Sequence, residues 1–509
     1  MRPLAFIILA FLQINLVFGQ TSLKAINLEN GDFKVGFNHY LASDSTRTYK
    51  RIFDWNNQSI PRPIPISIWY PATHTAGDVE HLSILDYMHI LKEEEEWEHL
   101  PNDQILNWFE FPNNLANQNH LKEQVNAAYR IHAAEGKFPV VVYAPSYQAS
   151  SIENFALCEY LASHGYVVIA SPSRGAENRF FEGGTPKDLE TQARDIELLI
   201  KEVQKLPYVS ANHMATMGFS FGGLSNVLSQ MRNENIKAIV SLDGSIKYQF
   251  DTLKKSPFFN MEKVDVPFIH MAQKNIPEQV LIEDKLPSEL NSKFEFYDSL
   301  TNSKAYRLKF HNLTHSHFST LGVLLKPRDK RQDKTDAEIM ESYKLVSQYA
   351  LNFLDAYLKN DSVALNFLNT AHSKNGMAEG LLKYQTKEPQ VMEFGFNDFN
   401  EMAAKQNYQE LYALYELSLK KHPSLELAEG KLNNLGLQLV FDPKTSGYGI
   451  NIFLLATSLY PNSWNLYDSL AEAYLFLGDT SYAISNFKKS LDLNPQNQNA
   501  IDRLEQLKP

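Results

Sequence analysis

One cysteine, Cys158, stands among 509 residues. That excludes an intrachain disulfide, so a chain of this size relies on its apolar core for stability. Cys158 lies in the apolar helical stretch NFALCEYLASHGY, where it reads as buried filler. Basic charge is also scarce: 48 Lys and Arg against 59 Asp and Glu leave a net charge of −11. The surplus that nucleic-acid binders carry is missing, so no nucleic-acid partner is expected. Long apolar runs are missing too. Past the first 20 residues none approaches the length of a membrane span, so no transmembrane anchor is expected after the leader. The acidic run Lys92–Glu96 reads as a solvated helix face.

What is present is an apolar content of 44% with 12% aromatics, the composition of a globular protein. The length predicts two or three domains. The opening MRPLAFIILAFLQINLVFGQ reads as a secretory signal peptide over 1–19: Arg2 is the positive start, Leu4–Val17 the apolar stretch, and Gly19 suits cleavage before Gln20. No cysteine lies at that point to take a lipid anchor. An exported protein, periplasmic or secreted, is expected.

From Phe138 onward strand-like and helix-like segments alternate. FPVVVYA and YVVIAS are continuous β-branched runs, MATM enters a glycine motif, and IKAIVSLDG, VPFIHMAQ and YRLKFHNL follow as further strand candidates. Amphipathic stretches between them, such as LETQARDIELLIKEVQKL, predict a mostly parallel sheet with helices on both faces. Asp336–Asn360 predicts one long closing helix, and PIPISIWYPA an alternating strand upstream. Residues 77–135, rich in Glu, Asn, His and Trp, read as a helical insertion or cap within a domain spanning 20–385. In the last quarter, Pro461 and Pro495 lie 34 residues apart, and Tyr467, Leu470, Ala471, Tyr474, Gly478, Ala483 and Phe487 fall where a tetratricopeptide unit packs. Weaker copies precede it, so 386–509 reads as an all-α array, either an appendage for packing or a dock for a protein partner.

The stretch GFSFGG, Gly218–Gly223, carries the chemistry. A serine hydroxyl is a weak nucleophile at neutral pH, so it needs a histidine to take its proton, an acid to orient that histidine and N–H donors for the oxyanion. Here the motif follows a strand candidate and opens a helix, the context of a nucleophile elbow, which makes Ser220 the candidate nucleophile rather than an idle turn serine. In such enzymes the acid and then the base follow along the chain. Asp243 closes the next strand and is better placed than Glu278, which follows the one after; an Asp-Gly turn is the blander reading. FHNLTHSHFST offers His311, His315 and His317. His311 belongs to the strand. His315 and His317 would face opposite ways in extended chain, and His315 is preferred as base with His317 as the alternative. No carboxylate or thiolate at ligand spacing supports a metal reading, and the chemistry requires no cofactor. Phe221 and Tyr147 are the expected backbone donors of the oxyanion hole.

These residues resemble platelet-activating-factor acetylhydrolase and its bacterial relatives near dienelactone hydrolase. The resemblance rests on the elbow, Asp243 beyond the next strand, H-x-x-F at His315–Phe318, VGF at Val35–Phe37, Asp44–Arg47, RPIPISIWYPA at Arg62–Ala72 and FLDAYLKND after the histidine. It covers roughly residues 30–362 and implies an α/β-hydrolase fold with Ser220, Asp243 and His315 as nucleophile, acid and base. Family members commonly carry His-Gly after the first buried strand, where this chain has Pro145-Ser146, a change that bears on the oxyanion loop and the acyl pocket. The reading is an exported serine esterase acting on a small-molecule or lipid ester. A peptidase or amidase using the same triad, and a catalytically weak scaffold that binds through its helical repeats, are the alternatives.

Overall fold

The computed structural model describes residues 21–73, 79–283, 286–326, 332–370, 375, 380–390 and 394–508. The expected leader lies outside them. Contacts divide the chain into two compact units, 1–390 and 391–509.

The first unit is built on an eleven-stranded sheet. Its strands are β1 (Lys34–Tyr49), β2 (Ile60–Ala72), β3 (His81–Ser83), β4 (Gln124–Tyr129), β5 (Phe138–Ala144) and β6 (Val167–Ala170). They continue with β7 (Val209–Phe219), β8 (Ile236–Leu242), β9 (Phe268–Ala272), β10 (Ala305–Phe310) and β11 (Leu382–Lys387). The spatial order is β11-β10-β9-β8-β7-β5-β6-β2-β1-β4-β3. The six strands from β6 to β10 run parallel, while β2 is antiparallel to both β6 and β1. A parallel centre flanked by an antiparallel pair, with crossover helices and a serine elbow after β7, is the α/β-hydrolase fold.

Both faces of the centre are covered, which explains the unbroken apolar runs. Along β5, Val141 and Tyr143 enter one core with the helices Phe155–Ser163 and Asp336–Leu358, while Val140, Val142 and Ala144 enter the other with Pro186–Val203 and Phe221–Arg232. For the same reason β2, expected to alternate, is buried almost throughout its second half. Cys158 is fully buried on the helix Phe155–Ser163. The two longest helices start on capping boxes, Thr185 with Asp188 and Thr335 with Glu338, and the closing helix stops at Leu358.

Asp44, Arg47 and Arg62 have a shared physical role. Arg62, buried on β2, makes two hydrogen bonds to Asp195 at 3.0 and 2.7 Å, and Arg47 reaches Asp195 at 2.6 Å and Asp44 at 2.6 Å. Arg62 also donates to the carbonyls of Arg174 and Gly175, tying the loop after β6 to the sheet. Residues 79–135 hold helices, among them Ile105–Trp108 and Leu115–His120, and strands as well. They carry β3 and β4, which extend the sheet beside β1, as well as the helix Ile84–Glu94. Leu82, Tyr87, Met88 and Leu91 from this segment share a core with Trp69 and Phe155, so it is built into the sheet edge.

In the second unit, seven helices lie between Phe396 and Gln506. Helices Glu429–Val440 and Ser446–Leu459 pack closely: a Cβ on Gly436 would stand 2.7 Å from the Phe453 ring. Leu470, Ala471, Ala483 and Phe487 are buried in this unit, while Tyr467 and Tyr474 are partly buried.

Candidate active site

β7 ends in a tight turn at Ser220. Ser220 holds φ 52° and ψ −117°, a strained backbone for a residue with a Cβ. The turn is held by the Ser220 N–H donating to the Leu242 carbonyl at 3.1 Å and by its own carbonyl accepting from Ser245 at 2.7 Å. A Cβ on Gly218 would stand 2.5 Å from the Gly222 carbonyl carbon, and one on Gly222 would fall onto the Ala144 carbonyl oxygen. The glycines therefore let β5, β7 and the helix Phe221–Arg232 meet without side chains between them.

Three side chains converge there from the carboxyl ends of β7, β8 and β10. The Ser220 hydroxyl lies 3.0 Å from His315 Nε2, and His315 Nδ1 lies 2.6 Å from Asp243 Oδ2. With Nδ1–H donating to the carboxylate, Nε2 is left to accept the serine proton. Asp243 is fully buried and has φ 41°; its Oδ1 accepts the Gln273 N–H at 3.0 Å. Burial alone would raise its pKa, yet the hydrogen bond and charge of His315 and the Gln273 amide hold it below the ordinary carboxylate value. Next to it, burial brings the Lys247 ammonium down to about 8 despite the attraction of Asp243. The His315 side chain is 40% exposed and its ring lies 4.9 Å from that of Phe219, so it faces both the site and solvent.

His315 and His317 both lie in a short 3-10 turn, His315–Phe318, instead of the extended chain expected. They still part: His317 is buried, and its Nδ1 accepts the Thr314 N–H at 3.2 Å. His311 follows β10, its N–H donating to Leu381, and Glu278 begins an exposed short helix after β9.

For the oxyanion, the Phe221 N–H is one of the unpaired donors at a helix start. Tyr147 lies in the loop after β5, whose Pro145 carbonyl would meet a Gly222 Cβ at 2.7 Å. Among the described residues neither N–H meets a protein acceptor. The Tyr147 ring packs edge-on to Phe181 and Phe221, at 4.9 and 6.0 Å, and its hydroxyl accepts the Gly183 N–H at 3.1 Å. The loops after β5 and β6 thus wall one side of the elbow with aromatic rings.

The acidic run is not a solvated face. Glu94 and Glu96 are 2% and 3% exposed. Glu96 accepts from Tyr49 at 2.7 Å, Glu95 pairs with Arg179 at 2.5 Å, and Glu94 accepts from Ser150 and Ser151. The run ends a helix whose last turn is pressed onto the loops after β5 and β6, and cationic and hydroxyl donors there replace water. A cavity of about 490 Å³ opens beside it, lined by His39, Tyr129, Glu93, Glu94 and Arg174 among others and by none of the triad.

Residues 154–268 match the family model of the prolyl oligopeptidase family, Peptidase_S9, a segment holding β6 to β8 and the elbow. No curated protein sequence matches the chain. Among solved structures, the ferulic acid esterase from Streptomyces cinnamoneus superposes with a TM-score of 0.48 at 16% identity, over 70% of this chain and 97% of that one. The fold, the hydrogen-bonded Ser-His-Asp line and the family match across the elbow together give this chain the arrangement of a serine hydrolase on an α/β-hydrolase fold.

Proposed function

We propose that this chain is an exported carboxylic-ester hydrolase working through an acyl-enzyme. The observation that carries the reading is the line Ser220–His315–Asp243, with hydrogen bonds of 3.0 and 2.6 Å. His315 Nε2 takes the Ser220 proton as Oγ attacks the ester carbonyl, and the tetrahedral oxyanion sits against the N–H groups of Phe221 and Tyr147. The imidazolium, held by Asp243, then protonates the leaving alcohol. Water, deprotonated by the same imidazole, attacks the acyl-enzyme and frees Ser220. The leader at 1–19 supports export, and the aromatic wall at Tyr147, Phe181 and Phe221 suits an apolar acyl group. The similarity to the acetylhydrolase group supports an ester over an amide. The match to the prolyl oligopeptidase family supports peptide cleavage as a second reading, since the triad alone does not choose the leaving group.

A fluorophosphonate probe should label folded wild-type protein at Ser220, and short p-nitrophenyl esters should be hydrolysed. Ser220→Ala should remove labelling and lower kcat by roughly 10⁴-fold or more, while Ser316→Ala should do neither. No label at Ser220 in folded protein would overturn the assignment. Faster turnover of matched amides than esters would favour the second reading.

A further inference from the structure

The loop after β5 must present the Tyr147 N–H to the oxyanion, yet at Pro145-Ser146 it has no glycine. Two buried carboxylates grip it from opposite ends. At the start, Glu153 accepts the Ser146 N–H at 2.9 Å and the Ser146 hydroxyl at 2.6 Å. At the far end, Glu94 Oε2 accepts the Ser151 N–H at 2.9 Å and the Ser150 hydroxyl, while Oε1 accepts the Ser151 hydroxyl at 2.5 Å. Between them the Ala149 N–H donates to Ser173 Oγ at 2.9 Å, that hydroxyl donates to the Ser146 carbonyl, and Gln192 donates to the Pro145 carbonyl at 3.0 Å. The main chain on both sides of Tyr147 is thus tied down, and its own N–H is left without a protein acceptor among the described residues.

Glu153 lies close in sequence to the loop, but Glu94 does not. It is the last residue of the helix Ile84–Glu94 and reaches the loop from the segment at the sheet edge. A buried carboxylate is costly unless its oxygens are bonded, and here three donors converge on it. The network continues past it: Ser151 gives its proton to Glu94, so it accepts from Ser67 Oγ at 2.7 Å, which in turn accepts from His39 Nδ1 at 3.0 Å. The helix end is held in its turn by Arg174, which donates to the Glu94 carbonyl and lies 4.0 Å from Glu96.

We infer that Glu94 is a positioning residue of the Ser220 site, supplied by the segment 79–135 to hold the loop that aims the Tyr147 N–H at the oxyanion. This rests on the esterase reading above. The segment 79–135 thereby serves the chemistry as well as the sheet edge, bracing the loop that carries Tyr147.

The decisive experiment compares wild type with Glu94→Ala, Glu94→Gln and, as control on the same turn, the exposed Glu93→Ala, using p-nitrophenyl acetate and a trifluoromethyl ketone whose adduct carries an oxyanion. Misplacing one oxyanion donor by about an ångström costs up to about 10²-fold in rate. Glu94→Ala should therefore lower kcat by roughly 10- to 100-fold with KM within about twofold, and weaken ketone inhibition by a similar factor. Glu94→Gln should recover part of the loss and Glu93→Ala should match wild type. If Glu94→Ala does not fold, Ser150→Ala and Ser151→Ala each remove one donor to the same carboxylate and should show a smaller loss confined to kcat. Wild-type kcat in the folded variants, or kcat and KM moving together, would overturn the inference while leaving wild-type activity and Ser220 labelling, and with them the esterase reading, intact. An inert, unlabelled wild type would instead overturn the reading on which it rests.

Discussion

The carboxyl edge of the central sheet and the segment 79–135 each supply a buried carboxylate, and the two carboxylates behave oppositely. Asp243, at the end of β8, is held below the ordinary carboxylate value, whereas burial pushes Glu94 up. Each accepts one backbone N–H, from Gln273 or from Ser151. The difference lies in the remaining partner. Asp243 faces an imidazole that can become a cation, so its charge is matched when the reaction needs it. Glu94 faces two neutral hydroxyls, and the charge of Arg174 offsets only part of its desolvation. In the proposed mechanism one carboxylate answers a charge that comes and goes during turnover, and the other holds a loop still.

That contrast is broken most forcefully by Asp243→Asn. The amide keeps the size of the side chain but cannot hold His315 in the tautomer that leaves Nε2 free, and the related change in a serine protease triad costs about 10⁴-fold in kcat. A loss of roughly 10³- to 10⁴-fold in ester turnover is expected, with Ser220 still present and the fold intact by circular dichroism. A loss no larger than that of Glu94→Ala would mean that the two carboxylates do the same kind of work. Gly222→Ala comes next and tests the sheet side alone. Its Cβ would fall on the Ala144 carbonyl oxygen, so backbone must move against backbone. Overpacking of this kind costs about 1–3 kcal/mol or more, and thermal unfolding should shift down accordingly, with esterase activity falling alongside. An unchanged melting temperature would show that β5 and the elbow are not pressed together.

The two regions also differ in how far their sequence reveals them. Around the sheet, local pattern and chain order suffice: the runs at Phe138–Ala144 and Ile236–Leu242 are strands because both faces are covered. Gly218 and Gly222 announce a turn in which side chains cannot fit, and acid and base follow in order. Even there, the short turn at His315–Phe318 is not legible, since four residues carry no periodicity. In the segment 79–135 the signal fails. Lys92–Glu96 has the composition of a solvent-facing helix end, and only partners distant in sequence, the hydroxyls of Tyr49, Ser150 and Ser151 and the guanidinium of Arg179, make it an interior one. β3, three residues long, and β11 are edge strands whose pairing depends on distant partners.

The smallest effect on activity is expected at the seam between the two regions. Glu159, buried on the helix Phe155–Ser163, accepts the Tyr87 hydroxyl at 2.7 Å and the Asn126 N–H at 2.9 Å, both from the segment 79–135. Burial, only partly offset by these bonds, raises its carboxyl from 4.5 to about 7. Between those two values the folded chain keeps a proton that the unfolded chain has lost. Its contribution to stability is therefore complete below 4.5 and is lost as pH rises through about 7. The slope is at most about 1.4 kcal/mol per pH unit in that window. Glu159→Gln removes the titration but keeps an acceptor for one of the two donors. Urea unfolding at several pH values across the window should show a shallower fall of stability with pH in the variant than in wild type. Equal slopes would mean that Glu159 is already charged at the seam, and that the sheet and the segment 79–135 are joined by an ionised carboxylate, as Ser220's partner His315 is joined to Asp243.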